Sequence, residues 1–159
     1  MHDELDAGAG GAGAPPESDE ANRAPDLTRR YDGDGIAVSW YAARCIHDAA
    51  CVRAQPRVFN PRRRPWINAS AADAEAVAAA VRACPTGALQ YEMPNGQGEP
   101  VEQVATVRHI ANGPVYVRGN IAITDEDGNV IRRGSRFALC QCGKSNNKPF
   151  CDNSHRARD

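Results

Sequence analysis

Six cysteines constrain this chain more than any other feature, because they fall into two groups with different spacings. One group is widely spread, and the other is compact and close to the C-terminus. The groups are Cys45, Cys51 and Cys84, and Cys140, Cys142 and Cys151. Clustered cysteines either pair as disulfides or bind a metal. Since the spacings differ, the two groups are not copies of one repeated module.

The rest of the sequence favours metal over disulfides. Disulfides persist in oxidising compartments, but the N-terminus lacks the basic start and apolar run of a secretory signal. No stretch approaches the length of a membrane-spanning helix. We therefore expect a cytoplasmic protein that does not associate with a membrane and whose cysteines bind metal.

Length and composition point the same way. A chain of 159 residues suits one ordinary domain or two very small ones. Aromatic residues are only 6% of the total, and much of the 42% hydrophobic share is alanine, which fills little core volume. Domains well below about 80 residues rarely stabilise themselves by burial alone. Two such domains would therefore need inorganic centres to hold them together.

Charge is unevenly distributed along the chain. Residues 1–30 hold seven acidic side chains, three arginines and a Gly/Ala/Pro run, and this composition predicts a disordered acidic tail. The remaining residues carry a small positive excess, although the formal net charge of the whole chain is −1. That near-neutral total gives no indication of a nucleic-acid partner, and we expect none.

The pattern downstream of the tail is that of an α+β protein. Alternating apolar residues predict a strand at 36–40, and apolar spacing predicts a helix over about 71–83 with Asn68 or Ser70 as its N-cap. Pro85 ends that helix. Further strands are expected at 101–107, 115–117, 121–124 and 130–132. A hairpin turn is expected at Asp127-Gly128, between the last two of them.

The C-terminal cysteines belong to a segment with four metal donors: Cys140, Cys142, Cys151 and His155. In an extended segment the first two side chains point the same way. The last two are four residues apart, which is about one helical turn. Three thiolates and an imidazole can therefore converge on one centre, and Gly143 lets the backbone approach a bulky group there.

This segment, 140–155, resembles the CDGSH iron–sulfur family. The positions that match the family pattern are the Cys140-x-Cys142 pair, Ser145, Pro149, Cys151-Asp152, Ser154 and His155. Asn153 takes the place of the glycine in the family's name, and asparagine tolerates a positive φ better than most residues. A fainter resemblance to the family's small β framework extends over 113–139.

The resemblance implies a [2Fe–2S] cluster, with Cys140 and Cys142 on one iron and Cys151 and His155 on the other. Supporting groups are expected to surround the ligands, and backbone amides and a serine hydroxyl can donate to sulfur and tune the potential. These groups are Gly143, Ser145, Asp152 and Ser154. From the spacing alone, a structural zinc site with three cysteines and one histidine is the alternative.

The other three cysteines resemble a divergent single-cluster ferredoxin. Cys84-Pro85 is similar to the Cys-Pro that closes bacterial ferredoxin runs. Cys45 and Cys51 take the outer positions of a Cys-x₂-Cys-x₂-Cys run, and Asp48 stands at the middle position. Further matches are Cys45-Ile46-His47, Arg64-Pro65-Trp66-Ile67 and Cys84-Pro85-Thr86-Gly87-Ala88-Leu89. Alternatively, the three cysteines are only small buried hydrophobes.

The missing middle cysteine leaves the type of this cluster open. Three thiolates suffice for [3Fe–4S], whereas [4Fe–4S] needs a fourth ligand, which Asp48 or His47 could supply. His47 could instead donate a hydrogen bond to sulfur, and Asp48 could pair with Arg44 or Arg53.

The sequence therefore predicts two small modules in one chain. The predicted boundaries are a tail at 1–30, a ferredoxin-like module at 31–92, a linker at 93–112 and a CDGSH module at 113–159. No nucleophile, general base or substrate pocket is visible, so we expect electron transfer with a redox protein partner and no enzymatic activity. The alternatives are a protein that delivers the His-ligated cluster to an apo-acceptor or senses redox state or pH, and a zinc-stapled interaction module.

Overall fold

The computed structural model describes residues 27–156, which form two three-stranded antiparallel sheets and a few short helices. The strands are β1 (Arg29–Gly33), β2 (Ile36–Trp40), β3 (Leu89–Glu92), β4 (Thr106–His109), β5 (Val115–Thr124) and β6 (Val130–Leu139). The α-helices are α1 (Ala50–Ala54) and α2 (Ala74–Arg82), and short 3₁₀ turns span Ala42–Arg44 and Ser154–Arg156. This is the small α+β arrangement expected from sequence, while a ferredoxin-like topology stays a prediction.

Most of the predicted acidic tail lies outside the described residues. Its last two residues, 29 and 30, already belong to β1, so the sheet begins before the predicted boundary at residue 31. Among residues 27–156, no helix is both long and apolar enough to cross a membrane.

The first sheet has the order β1-β2-β3 and packs against α2. Val77 and Val81 on α2 are fully buried in this core. The predicted cap at Asn68 or Ser70 is wrong: α2 begins after Asp73, whose side-chain carboxylate accepts a hydrogen bond from the Ala76 amide at 2.9 Å. An aspartate at the N-cap also stabilises the positive end of the helix dipole.

The second sheet has the order β4-β5-β6. The two strands predicted at 115–117 and 121–124 are one strand, β5, with a register shift between Arg118 and Ile121 at Gly119, whose φ is +133°. The next strand, β6, extends to Leu139 because its partner β5 continues over the same length. The hairpin predicted at Asp127-Gly128 is confirmed, since the Gly128 amide donates to the Asp125 carbonyl between the two strands.

The linker predicted at 93–112 is not entirely a linker. Its second part forms β4, which pairs with β5 from Thr106 to His109. The segment 101–105, which was expected to be strand, lies outside any strand and is exposed.

Candidate metal centres

The C-terminal candidate site lies between the end of β6 and the last 3₁₀ turn. Two backbone hydrogen bonds close the loop between them: the Cys140 amide donates to the Pro149 carbonyl, and the Cys151 amide donates to the Ala138 carbonyl, both at 2.8 Å. These bonds hold the segments that carry the first and third donors side by side. The local fold therefore brings Cys140, Cys142, Cys151 and His155 to one end of the sheet.

The donor atoms form two pairs. Cys140 Sγ lies 3.8 Å from Cys142 Sγ, and Cys151 Sγ lies 3.6 Å from His155 Nδ1. Two thiolates on one tetrahedral metal with bonds of about 2.3 Å are about 3.8 Å apart, and a thiolate and an imidazole are about 3.5 Å apart. The pairs thus have the spacing of two ligands on each of two metal ions. Among residues 27–156, no three or more His, Cys, Asp or Glu side chains converge closely enough to hold a single ion.

Backbone amides point at the sulfur atoms of this site. The Lys144 amide donates to Cys142 Sγ at 3.4 Å, and the Asn153 amide donates to Cys151 Sγ at 3.3 Å. A backbone hydrogen bond from Ser145 is the largest cause that lowers the pKa of the Cys140 thiol. Asn153 has a φ of +74°, the conformation that the replaced glycine would adopt without strain.

Two of the predicted supporting side chains brace the loop instead of contacting sulfur. The buried Ser145 hydroxyl donates to the Phe150 carbonyl at 2.6 Å, so its proton is not directed at a ligand. Asp152 accepts hydrogen bonds from the hydroxyl and amide of Ser154 and from the amide of Asn146. These bonds, led by the Ser154 hydroxyl, lower the pKa of Asp152 to about 2. Asp152 therefore ties the two ligand-bearing segments together as a carboxylate.

The upstream candidate site draws its three cysteines from separate elements. Cys45 follows the first 3₁₀ turn, Cys51 lies in α1, and Cys84 follows α2. All three line one mostly apolar cavity and pack into the core of the first sheet. Asp48 lines the same cavity, whereas His47 is exposed and is not among the lining residues.

Burial controls the protonation of these thiols in the absence of metal. It raises the pKa of Cys51 to about 11, with a further contribution from nearby Cys84. Burial also raises the pKa of Cys45. Since a metal binds the thiolate, loading this site must displace protons from the two cysteines.

Two tryptophans give an independent test of what the cavity can hold. The indole Nε1 atoms of Trp40 and Trp66 are buried and, among the described residues, have no hydrogen-bond partner. Both side chains line the cavity, with ring centroids 5.0 Å apart. An unsatisfied buried donor costs about 1–3 kcal/mol. Inorganic sulfide and cysteine thiolate are acceptors, so an iron–sulfur cluster held by the three cysteines fits these two orphan donors.

Asp48 has a competing partner at the edge of the cavity. Arg53 Nη2 lies 3.2 Å from its carboxylate, and Arg53 Nη1 donates to its carbonyl at 2.7 Å. Of the two arginines named as alternatives, Arg53 is therefore the one that pairs, while Arg44 stacks over the Tyr41 ring. Asp48 is close enough to the cysteines to line their cavity, but its carboxylate is shared with a cation.

The comparisons with known proteins identify both regions. A family described as divergent 4Fe-4S mono-cluster matches residues 31–94, and a family described as iron-binding zinc finger CDGSH type matches residues 112–156. A protein of Escherichia coli K12, uncharacterized protein YjdI, is 40% identical over 63 residues, which are 40% of this chain and 83% of that protein. Its counterpart in E. coli O157:H7 matches equally.

This chain belongs to the divergent 4Fe-4S mono-cluster family and carries a CDGSH-type domain after it. Residues 31–94 are called the mono-cluster domain below, and residues 112–156 the CDGSH domain. No solved structure matches the chain significantly. Both resemblances seen in the sequence are thus confirmed. The two matched families indicate that the chain is an iron–sulfur protein.

The two domains meet next to their candidate ligands. Ile46, which follows Cys45 in the mono-cluster domain, is buried in one cluster with Ala138 and Cys151 of the CDGSH domain, and Tyr116 packs against that cluster. Arg118 and Arg136 of the CDGSH domain donate hydrogen bonds to backbone carbonyls of the mono-cluster domain. The ligand loops of the two sites are therefore in the same packed junction.

Sequence reasoning missed the residues that act across this junction and around the mono-cluster cavity. Trp66 stood in a segment matched by resemblance, but its unpaired N–H has no sequence signature. Arg136 gave no signal at all, because an arginine in a strand is usually solvent-exposed. Only the burial of the residue, which is 2% exposed in the structure, reveals it.

Proposed function

We propose that this chain is an electron-transfer protein, with a [2Fe–2S] cluster in the CDGSH domain and a [4Fe–4S] or [3Fe–4S] cluster in the mono-cluster domain. When bound, such clusters supply one-electron chemistry. The residues of the chain contribute ligands, exclusion of water and hydrogen bonds to sulfur, which together set the potential.

The junction between the domains is the observation that carries this proposal. Ile46 and Cys151 are 6% and 8% exposed and belong to one buried group. Ile46 is adjacent in sequence to Cys45, a candidate ligand of the mono-cluster site. Cys151 is itself a candidate ligand of the CDGSH site. A dry, packed contact of this kind favours electron exchange between two centres in one chain over two sites that work separately.

The proposed partner is a redox protein. Arg57 and Arg62 are exposed near the mono-cluster domain's cavity-forming loop, and either could meet an acidic partner surface. Arg63 and Arg64, from the same run, instead donate to backbone carbonyls and brace the loop. Arg64 remains exposed despite these bonds, so its charge also contributes to this surface.

Re-oxidation of the reduced protein tests the proposal. The anaerobic protein, reduced with dithionite and freed of excess reductant, is mixed with cytochrome c as a one-electron acceptor. We expect both clusters to be re-oxidised and to survive repeated cycles with unchanged iron content. Failure to reduce cytochrome c, or loss of iron with each cycle, would contradict electron transfer as the function.

A second candidate function is delivery of the CDGSH cluster to an apo-protein. It is favoured by the exposure of Cys142, whose partner Cys140 is half-buried. A ligand that an acceptor can reach permits ligand exchange, whereas none of the three candidate cysteines of the mono-cluster domain is exposed. Incubation with an apo-ferredoxin distinguishes the two functions, because delivery predicts that a [2Fe–2S] spectrum appears on the re-isolated acceptor.

A further inference from the structure

Arg136 reaches from the CDGSH domain into the mono-cluster domain. It lies on β6, and its side chain is only 1% exposed. Its Nη1 donates to the carbonyls of Val81 and Cys84, both at 2.6 Å. Its Nη2 donates to the Leu89 carbonyl at 2.8 Å and to the Glu99 carboxylate at 2.7 Å. The guanidinium is thus surrounded by three carbonyls of the mono-cluster domain and by one carboxylate of the segment that joins the two domains.

This arrangement requires arginine chemistry. A buried cation is strongly unfavourable unless it is paired and hydrogen-bonded. Glu99 provides the pairing, and three carbonyls accept the other bonds of Nη1 and Nη2. Nε of Arg136 is also buried, and among residues 27–156 it has no hydrogen-bond partner. The planar fork of the guanidinium can serve four acceptors in fixed directions, which the single ammonium of lysine cannot reproduce.

The carbonyls that Arg136 binds define the position of Cys84. Val81 is in the last turn of α2, and its carbonyl also accepts a hydrogen bond from the Cys84 amide at 3.0 Å. The carbonyls at this end of a helix attract a cation. Cys84 and Leu89 are the two ends of the turn that follows. The fork therefore holds the end of the helix and both ends of the segment that contains the cysteine.

The backbone of Arg136 touches the same turn. Gly87 has a φ of +69°, and a Cβ atom at this position would lie 3.0 Å from the Arg136 carbonyl oxygen. The turn after Cys84 is consequently pressed against β6 with no room for a side chain. Both the side chain and the main chain of Arg136 contribute to the fixed geometry of this segment.

A second arginine of the CDGSH domain provides a natural comparison. Arg118 Nη2 donates to the Arg82 carbonyl at 2.9 Å, so it also crosses the junction. It is half-buried, however, and among residues 27–156 it makes no hydrogen bond to a cysteine carbonyl. It joins the domains without holding a candidate ligand.

We propose that Arg136 is a positioning residue of the mono-cluster site that is supplied by the CDGSH domain. It clamps the backbone of Cys84 and directs the positive end of its ion pair with Glu99 at the Cys84 carbonyl. A nearby positive charge favours addition of an electron, so Arg136 raises the reduction potential of a cluster bound there. The proposal rests on cluster binding in the mono-cluster domain and does not require that electron transfer is the function.

The test uses the full-length holoprotein and three variants. Arg136→Gln removes the charge, Arg136→Lys retains the charge but lacks the fork, and Arg118→Gln is the matched control across the same junction. Two quantities are measured for the mono-cluster centre. One is the ratio of oxidised to reduced cluster at a fixed ambient potential, followed by electron paramagnetic resonance, and the other is the rate of iron loss to a chelator.

We expect Arg136→Gln to increase the oxidised-to-reduced ratio about tenfold, equivalent to 59 mV for one electron. Arg136→Lys should leave that ratio closer to wild type but should accelerate iron loss about fivefold or more, because a single ammonium replaces the fork. Arg118→Gln should change neither quantity. The visible spectrum of the CDGSH centre should be unchanged in all three variants.

If Arg136→Lys loses iron at the wild-type rate, Arg136 does not clamp Cys84. If Arg136→Gln folds and keeps the wild-type ratio of oxidised to reduced cluster, the charge of Arg136 does not affect the reduction potential. If Arg136→Gln does not fold, Arg136→Lys alone decides the proposal. Equal acceleration of iron loss from both centres overturns it as well, because it shows only a general role in folding. Failure of the electron-transfer proposal is distinguishable, since it is seen in the wild type with cytochrome c.

Discussion

The two candidate cluster sites of this chain are assembled in opposite ways. The CDGSH site takes all four donors from a continuous segment of sixteen residues at one end of a sheet. The mono-cluster site takes three cysteines from separate elements and encloses them in the core of the first sheet. The first site is local, and we call it the open site because Cys142 is exposed. The second is nonlocal, and we call it the enclosed site because none of its three cysteines is exposed.

The two sites also differ in the exposure of their cysteines and in the pKa of their thiols. Cys142 is exposed, and backbone hydrogen bonds lower the pKa of Cys140. Burial raises the pKa of Cys45 and Cys51, so protons oppose metal binding in the enclosed site. An open site can exchange metal and contact partners, whereas an enclosed site shields its cluster from water once it is loaded.

Loss of one ligand should have the largest effect, and it should be confined to one site. Cys84→Ser removes a thiolate of the enclosed site, and Cys151→Ser removes one of the open site. Iron analysis of the anaerobic proteins should show a loss of three or four irons in the first variant and of two in the second. Loss of both clusters in either variant would show that the sites do not load independently.

Replacement of His155 should change how the open site responds to acid. Protons compete with iron for the imidazole nitrogen, so His155→Cys should slow cluster loss at about pH 5 by about tenfold or more. The thiolate also adds negative charge, so the potential should fall. Visible absorption and a redox titration of the full-length protein measure both effects.

Two comparisons make the His155 experiment specific. His109→Gln alters another histidine, which ends β4 and contacts Gln141 in the ligand loop, and this variant should decay like wild type. Asp152 cannot account for loss at pH 5. Its pKa is lowered to about 2, so its stabilising hydrogen bonds persist above its unfolded pKa and are lost only as the pH falls toward 2. Equal decay of wild type and His155→Cys would show that His155 is not a ligand.

In the metal-free protein, a thiol of the open site should react faster than a thiol of the enclosed site. The raised pKa of Cys51, about 11, keeps its thiol protonated at pH 8, whereas the lowered pKa of Cys140 favours thiolate. Alkylation with iodoacetamide, followed by mass spectrometry, should therefore modify Cys140 about tenfold or more faster than Cys51. Burial disfavours the Cys51 thiolate in the folded chain, so the metal-free protein should also lose stability as the pH rises from the ordinary cysteine pKa to about 11. Equal alkylation rates would contradict the difference in burial.

From the sequence, the four candidate donors of the open site could be grouped before the structure brought them together in two pairs, whereas the enclosed site could be predicted only in outline. The donors of the CDGSH site are close along the chain, so spacing and motif specify them. The Arg136 bond to the Cys84 carbonyl spans 52 residues, and no local pattern encodes such a contact. The cap of α2 was misplaced for a related reason, because Ser70 and Asp73 are both good caps and only the structure selects Asp73.

Asp48 should have a smaller effect, limited to one iron of the enclosed site. If its carboxylate is the fourth ligand, Asp48→Ala converts a four-iron signal to a three-iron signal in electron paramagnetic resonance, and Asp48→Cys stabilises the four-iron form. Arg53→Gln sharpens the test, because it removes the cation that shares this carboxylate and should favour the four-iron form. A three-iron signal in anaerobic wild type that Asp48→Ala does not change would exclude Asp48.

The indole donors should have the smallest effect. Trp66→Phe retains the ring but removes one orphan N–H, so the oxidised-to-reduced ratio of the enclosed cluster at fixed potential should rise about threefold. The metal-free protein should not lose stability correspondingly, because the removed donor has no partner there and costs about 1–3 kcal/mol. An unchanged ratio in both Trp66→Phe and Trp40→Phe would show that neither indole donates to the cluster.

Metal and sulfide analysis of the anaerobic full-length protein tests the central claim most directly. Two iron–sulfur clusters predict a brown protein with five or six irons per chain, comparable acid-labile sulfide, and visible absorption that dithionite bleaches. Stepwise reduction should then show two centres of different potential. A colourless protein with stoichiometric zinc and no labile sulfide would contradict the account.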